Sequence, residues 1–371
     1  MCLWRGFLLR AWILALISTD LLAQVGSFDQ SALRRRLVAE AFAPVLYQHE
    51  SLELLDINTG FNPIDSILGF NFDGNGDLRD NARNVFLLSD ESARRAVSHP
   101  EIYYSVIESR SHFYINYIVY HAIDTNGLGH AHDTENIFAI VRKTQDFPGV
   151  LEVLITNAHG FPNIYSPDEE RTSAWRSRIK SQLAQPVLLA VDRFARPHHE
   201  EGALEFVERR RSVSPIVFVH SKSHAIYKFN SQAWSASNQV GSLYFPQSCL
   251  ECSLAPVPFT GVRKTIAYQL IDFDDMMLNL KPGMDWSLIF QDSFEKPIAR
   301  KLEHYRERAL PGYLAVGVLE ARPAAILFFR GSFKTAYPLS DPISFHRYFD
   351  PGNEQISLQY LLNAYLDSDS P

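Results

Sequence analysis

Cysteine, long apolar runs, basic charge and glycosylation signals are all scarce in this sequence, and each scarcity removes a class of protein. Only Cys2, Cys249 and Cys252 occur, which excludes a disulfide-framework scaffold. Beyond the N-terminus no run of eighteen apolar residues is found, so no later helical membrane span is expected. The formal net charge of -7 argues against a nucleic-acid partner, because phosphate neutralisation needs concentrated Lys and Arg. The basic runs at Arg34 to Arg36 and Arg209 to Arg211 are short and read as solvated faces. No Asn-x-Ser/Thr acceptor exists, which favours a bacterial product over a eukaryotic glycoprotein.

What is present begins with a leader. Arg5 and Arg10 precede an apolar stretch from Ala11 to Ile17, and Leu21-Leu22-Ala23 supplies a small-residue cleavage context. Residues 1–23 therefore read as a signal peptide, and the product is expected to be secreted or periplasmic. Cys2 leaves with that leader. In an oxidising compartment Cys249 and Cys252 would close a small disulfide loop, since no strand-then-helix setting surrounds them as a redox motif requires. Residues 24–371, with 46% apolar and 12% aromatic residues in the whole chain, suffice for a large core. We read them as one β-sandwich domain with a C-terminal extension, a boundary being available near the Pro-rich 255–258.

The pattern is mainly β. A helix is expected over 29–47, ending around Ala43-Pro44, and a second from Ser89-Asp90-Glu91 to His99-Pro100. Strands are expected over 102–107, 112–120, 136–142 and 150–156, with Phe113, Ile115, Tyr117 and Val119 alternating against Tyr114 and Asn116. Their connections are short and hold no crossover helix, which predicts an antiparallel meander and hence an antiparallel β-sandwich with peripheral helices. A polar helix fits 166–183. Further extended runs fit 187–191, 216–220, 225–229, 265–271, 287–290, 313–319 and 325–329, with a charged helix over 294–308. The loop 70–84 holds Asp73, Asn75 and Asp77 at calcium-loop spacing, but Leu78 and Asn84 replace the glycine and closing glutamate of an EF-hand.

Chemistry concentrates between residues 120 and 142. Asp124, His130, His132, Asp133 and Glu135 lie within a dozen residues, between two alternating apolar runs. On an extended backbone Asp133 and Glu135 share one face, and His130 joins them only if Gly127 and Gly129 let the turn bring it round. Asp124, at the far lip, would complete an oxygen-rich set with one imidazole. Such a set suits calcium, magnesium or manganese better than structural zinc. His159 and His224 sit at strand ends, as hydrogen-bonded structural histidines or as partners of the cluster.

The run Asp124…Gly129-His130-Ala131-His132-Asp133-Thr134-Glu135 resembles the G-H-R-H-D-W-E hallmark of the necrosis- and ethylene-inducing peptide-like proteins, with Ala131 and Thr134 standing in place of Arg and Trp. Ala158 to Gly160 resembles a second element of that family. The resemblance covers roughly residues 110–230. It implies a β-sandwich, a divalent cation on Asp124, His130, Asp133 and Glu135, recognition of the sugar headgroups of membrane sphingolipids, and membrane lysis. A looser superfamily sharing the H-D-x-E core, including vacuolar-sorting-associated relatives, is similar as well.

Three functions follow as expectations. The first is a cation-dependent binding protein for a glycan or lipid headgroup, acting at a membrane surface. The second is a metal-dependent hydrolase of a phosphate or glycosyl ester, with His132, His159 or His224 moving protons. The third is a sandwich whose cation is purely structural.

Overall fold

The computed structural model describes residues 30–75, 81–125, 130–158, 161–182, 204–209, 212–231, 240–249, 261–273, 342–350 and 352–362. The chain divides into two units, residues 1–37 and 38–371. Of the first, only the opening turns of the helix α1 (Gln30–Phe42) are described. The second unit holds everything below.

Helix α1 ends beside Ala43-Pro44, where its end is expected, and short of residue 47, the outer bound of its sequence pattern. Pro44 interrupts it, and Val45–His49 continues as strand β1 rather than as the last turn of a helix over 29–47. Proline carries no N–H for the helical ladder, whereas Val45 and Tyr47 suit a pleated surface. After a short turn of helix, α2 (Asn81–Asn84), comes α3 (Asp90–Ser98). Ser89 caps it by accepting from the Ser92 N–H, and Asp90 and Glu91 meet the positive end of its dipole. Its buried face is Ala93, Ala96 and Val97.

The expected four-strand meander is present, extended by a fifth strand, Phe161–Tyr165, that was not anticipated. Strands β2 (Glu101–Ser109), β3 (His112–Asp124), β4 (His130–Arg142), β5 (Val150–Ala158) and β6 (Phe161–Tyr165) pair in sequence order, each antiparallel to the next. Beyond α4 (Glu169–Gln182) lie β7 (Phe206–Arg209), β8 (Ser212–Val219), β9 (Ile226–Lys228), β10 (Gly241–Pro246), β11 (Val262–Asp272), α5 (Pro342–Phe349) and β12 (Tyr360–Leu362).

The second half corrects the sandwich. Among the described residues the strands form one 12-stranded sheet, ordered β6-β5-β4-β3-β2-β11-β10-β1-β8-β7, with β12 on β2 and β9 on β8. It is mixed: β1 runs parallel to β8, β10 to β11, and β11 to β2. β1 and β8, and β11 and β2, lie far apart in sequence, and β10 and β11 are separated by residues 247–261; connections of these lengths permit either direction, so short-loop reasoning had no hold on them.

Period-two alternation gives the meander two apolar faces. Tyr114, Ile118, Tyr120 and Ala122 of β3 belong to one core, with Phe70, Phe72, α3 and α5 packed on it. Phe113, Ile115, Tyr117 and Val119 belong to a second, which also takes Leu46, Val217, Val219, Ile226 and Tyr244 from β1, β8, β9 and β10. The two arms of the sheet thus face each other across this inner core, and the sheet is curled rather than split. Tyr117 Oη, donating 2.7 Å to the Ala39 carbonyl oxygen, ties the end of α1 to it.

No helix among the described residues is long and apolar enough to cross a membrane. The expected leader, Cys252, the boundary expected near 255–258 and the elements expected over 187–191, 287–290, 294–308, 313–319 and 325–329 lie outside the described residues.

Candidate functional site

The polar residues converge at one end of the inner core, where the β3–β4 hairpin meets β1 and the turn after β8. In the hairpin register His121 stands opposite Asp133, Val119 opposite Glu135, and Asp124 opposite His130. Asp133 and Glu135 lie two residues apart on β4 and so share a face, with about 7 Å between their Cα atoms. Both are buried, as is Asp124. Asp124 stands three rungs from Asp133 and five from Glu135, about 10 and 16 Å along the strands, and by alternation on the opposite face. The backbone of His130 and His132 runs in β4, while their side chains, and the whole of His159, lie outside the described residues.

His224 is brought to this cluster by a strained turn. Lys222 and His224 have positive φ values of 67° and 46°, rare for residues with side chains and typical of positions whose geometry is dictated by use. The turn is closed by the His224 N–H donating to the His220 carbonyl, and the Thr125 N–H donates to the Lys222 carbonyl, joining it to the hairpin end. In this pose His224 Nδ1 donates 2.7 Å to Asp133 Oδ2, and Nε2 lies 3.7 Å from Asp65 Oδ1.

Asp65 is the anchor of the turn. Fully buried, its carboxylate accepts from the Ser51 N–H at 2.6 Å, the Lys222 N–H at 2.7 Å, Asn62 Nδ2 at 3.1 Å and Ser221 Oγ at 3.1 Å. Burial by itself would raise its pKa, but the neighbouring His224 and these donors hold it below the ordinary carboxylate value.

The two histidines divide the charge. Burial disfavours an imidazolium at His224, yet Asp133 and Asp65 outweigh it and push the pKa up to about 9. His121 lies flat on that ring, centroids 3.7 Å apart and planes 6° from parallel. Burial and the charge on His224 drive its pKa well below the ordinary value, so it is neutral. Its Nε2 is 3.1 Å from Gln48 Oε1 of β1, while its buried Nδ1 makes no hydrogen bond. The site is therefore a neutral imidazole stacked on an imidazolium that is clamped between two carboxylates.

Of the sequence-derived candidates, Asp133 and His224 are brought into direct contact. Asp65, His121 and Gln48 were not anticipated. His121 was accessible in principle, since pairing the two alternating runs as a hairpin places it opposite Asp133. Asp65 and Gln48 arrive from loops and strands distant in sequence and leave no local signal.

No protein-family model matches this chain, and none of the curated proteins does. Two solved structures are similar to parts of it. The crystal structure of the non-toxic HaNLP3 protein is 22% identical over 19% of this chain and 33% of its own, with a TM-score of 0.17. That of Necrosis and Ethylene inducing Protein 2, from the causal agent of cocoa's Witches Broom disease, is 18% identical over 35% of this chain and 54% of its own, with a TM-score of 0.20. The chain thus spans about a third and about half of the lengths of the two structures it matches, and the relationship is a distant one.

Proposed function

We propose that this protein binds a divalent cation, calcium, magnesium or manganese, at the end of the β3–β4 hairpin and uses it to recognise a glycan or lipid headgroup. Asp133 and Glu135 supply the direct oxygen ligands, their spacing along one face suiting a single ion of this class. Asp124, three rungs from Asp133 and on the opposite face, stands apart from this ligand pair.

The observation that carries this reading is the bond from His224 Nδ1 to Asp133 Oδ2. A carboxylate held through one oxygen by a buried imidazolium is fixed in orientation, as metal ligands are by their outer partners. Leu52, Leu54 and Ile57, exposed on the loop whose Ser51 N–H binds Asp65, add apolar contact suited to a membrane surface.

Hydrolysis is the weaker reading. With a pKa near 9, His224 is already protonated at neutral pH and has no lone pair with which to take a proton from water.

Calorimetric titration of the full chain with each cation, beside an Asp133→Asn/Glu135→Gln variant, tests the proposal. Saturable binding lost in the variant, together with retention on vesicles carrying glycosylated headgroups that a chelator abolishes, is the expected result. A folded wild type giving no cation heat sinks it.

A further inference from the structure

A second cluster lies at the other end of the same hairpin. His112 opens β3, and its register partner Arg142 closes β4. His112 and His121 are nine residues apart on β3, so the two clusters are separated by about 30 Å along the strand. His112 Nε2 is 3.1 Å from Glu152 Oε2 of β5, and His346 of α5 places its ring edge-on to His112, centroids 5.0 Å apart and planes at 89°. One donor atom from each of His112, Glu152 and His346 lies within 4.8 Å of the other two, and all three residues are buried.

Ordinary packing leaves this group unexplained. His346 is fully buried, yet neither its Nδ1 nor its Nε2 makes a hydrogen bond. A buried imidazole without any partner is the costly exception in a protein interior.

The surroundings have the arrangement of an outer shell. Ser111 Oγ is 2.8 Å from His112 Nδ1 and accepts from the Ser357 N–H, so it is able to receive an Nδ1–H and leave Nε2 free as a ligand. Arg142 Nε donates 2.7 Å to Glu152 Oε1, fixing the carboxylate while Oε2 faces the histidines.

We propose that His112, Glu152 and His346 form a buried transition-metal site of the zinc class, distinct from the oxygen-rich cluster at the hairpin's far end. Two imidazoles and a carboxylate are a donor set for zinc rather than for calcium or magnesium. Tetrahedral zinc, with bonds of about 2.0–2.1 Å, holds its donors about 3.3 Å apart. The His112–Glu152 pair is already near that spacing, and His346 closes onto it by no more than about 1.5 Å. A water takes the fourth position. Binding displaces the proton shared between His112 and Glu152. The ion joins three segments, and through His346 it staples α5 to the sheet. That helix is also held by Phe349 against Trp175, by the Ile343 N–H donating to Tyr360 Oη and by the ion pair from Arg171 to Asp350 just beyond its end.

Cobalt(II) titration of the full chain, followed by visible absorption and competed with zinc, tests the assignment. The expected result is one equivalent giving intense tetrahedral bands, displaced by zinc, with a higher midpoint of thermal unfolding. His346→Ala should weaken binding by more than about 100-fold, and Ser111→Ala by about tenfold. Asp133→Asn/Glu135→Gln should leave it unchanged, which separates this site from the proposed cation site. Glu152→Gln, also expected to abolish the bands, decides the matter if His346→Ala does not fold. In the wild type a zinc-dependent shift of the His346 ring resonances needs no variant. Absence of the bands, their persistence in both His346→Ala and Glu152→Gln, or their loss in the hairpin-end variant would overturn the assignment.

Discussion

The ring of His121 lies parallel to that of His224 at 3.7 Å between centroids, and His224 in turn donates to Asp133, the residue directly opposite His121 on the next strand. Three side chains from two strands and a turn thereby close a loop of contacts. Protonated His224 hydrogen-bonds Asp133 through Nδ1 and sets its positive charge 3.7 Å from Asp65, and His121 stays neutral as a result.

Stability should consequently depend on pH from both sides. The folded-state pKa of His224, about 9, lies above its ordinary 6.5, so its contribution is complete below about pH 6.5 and is lost as the pH rises through 9. At 1.36 kcal/mol per unit, the effect is on the order of a few kcal/mol. His121 and His346, held neutral below 6.5, act in the opposite sense and destabilise the fold as the pH falls under that value. Urea unfolding from pH 5 to 10 should therefore show a maximum near neutrality. Asp133→Asn should flatten the alkaline limb, and an unchanged slope there would show that His224 is not charged.

Asp65→Ala should destabilise the protein by about 3–5 kcal/mol, because it removes one partner of a buried ion pair and leaves four donors without their acceptor. Equilibrium denaturation measures this. A loss below about 1 kcal/mol would mean that the turn after β8 holds its shape without the carboxylate.

Gly149, between β4 and β5, has a φ of 106°, and a Cβ there would collide with the Arg142 carbonyl oxygen. Gly149→Ala should cost at least about 1–3 kcal/mol. The matched substitution Gly352→Ala, where a Cβ meets nothing within 4 Å, should change little. Equal thermal shifts for the two would contradict the geometry.

Tyr117→Phe removes the hydroxyl that donates to the Ala39 carbonyl and should lower stability by about 1 kcal/mol without altering cation binding. A calorimetric titration showing weakened binding in this variant would reveal coupling between α1's end and the hairpin that the contacts do not account for.

Local periodicity made much of this protein readable. Alternation over 112–120, with the short connections that follow, specified the β2 to β5 meander, and the Ser89-Asp90-Glu91 start marked α3; β6 was not anticipated. The shared face of Asp133 and Glu135 follows from a repeat of two residues, which any extended backbone imposes. All of these depend on neighbours in sequence, and the sequence by itself determined them.

Only the tertiary structure decided the rest. A run of alternating residues names its buried face but not its partner, so the parallel pairing of β1 with β8 and of β11 with β2 had no local mark. Val45 to Tyr47 continued a helical pattern by composition, and the sheet captured it because β8 and β10 offered pairing on both sides. Asp65, Gln48 and His346 are ordinary residues in their own segments. They acquire a role through the long-range packing that buries them beside His224, His121 and His112, since burial away from water is what makes an uncompensated polar atom costly and a neighbouring charge decisive.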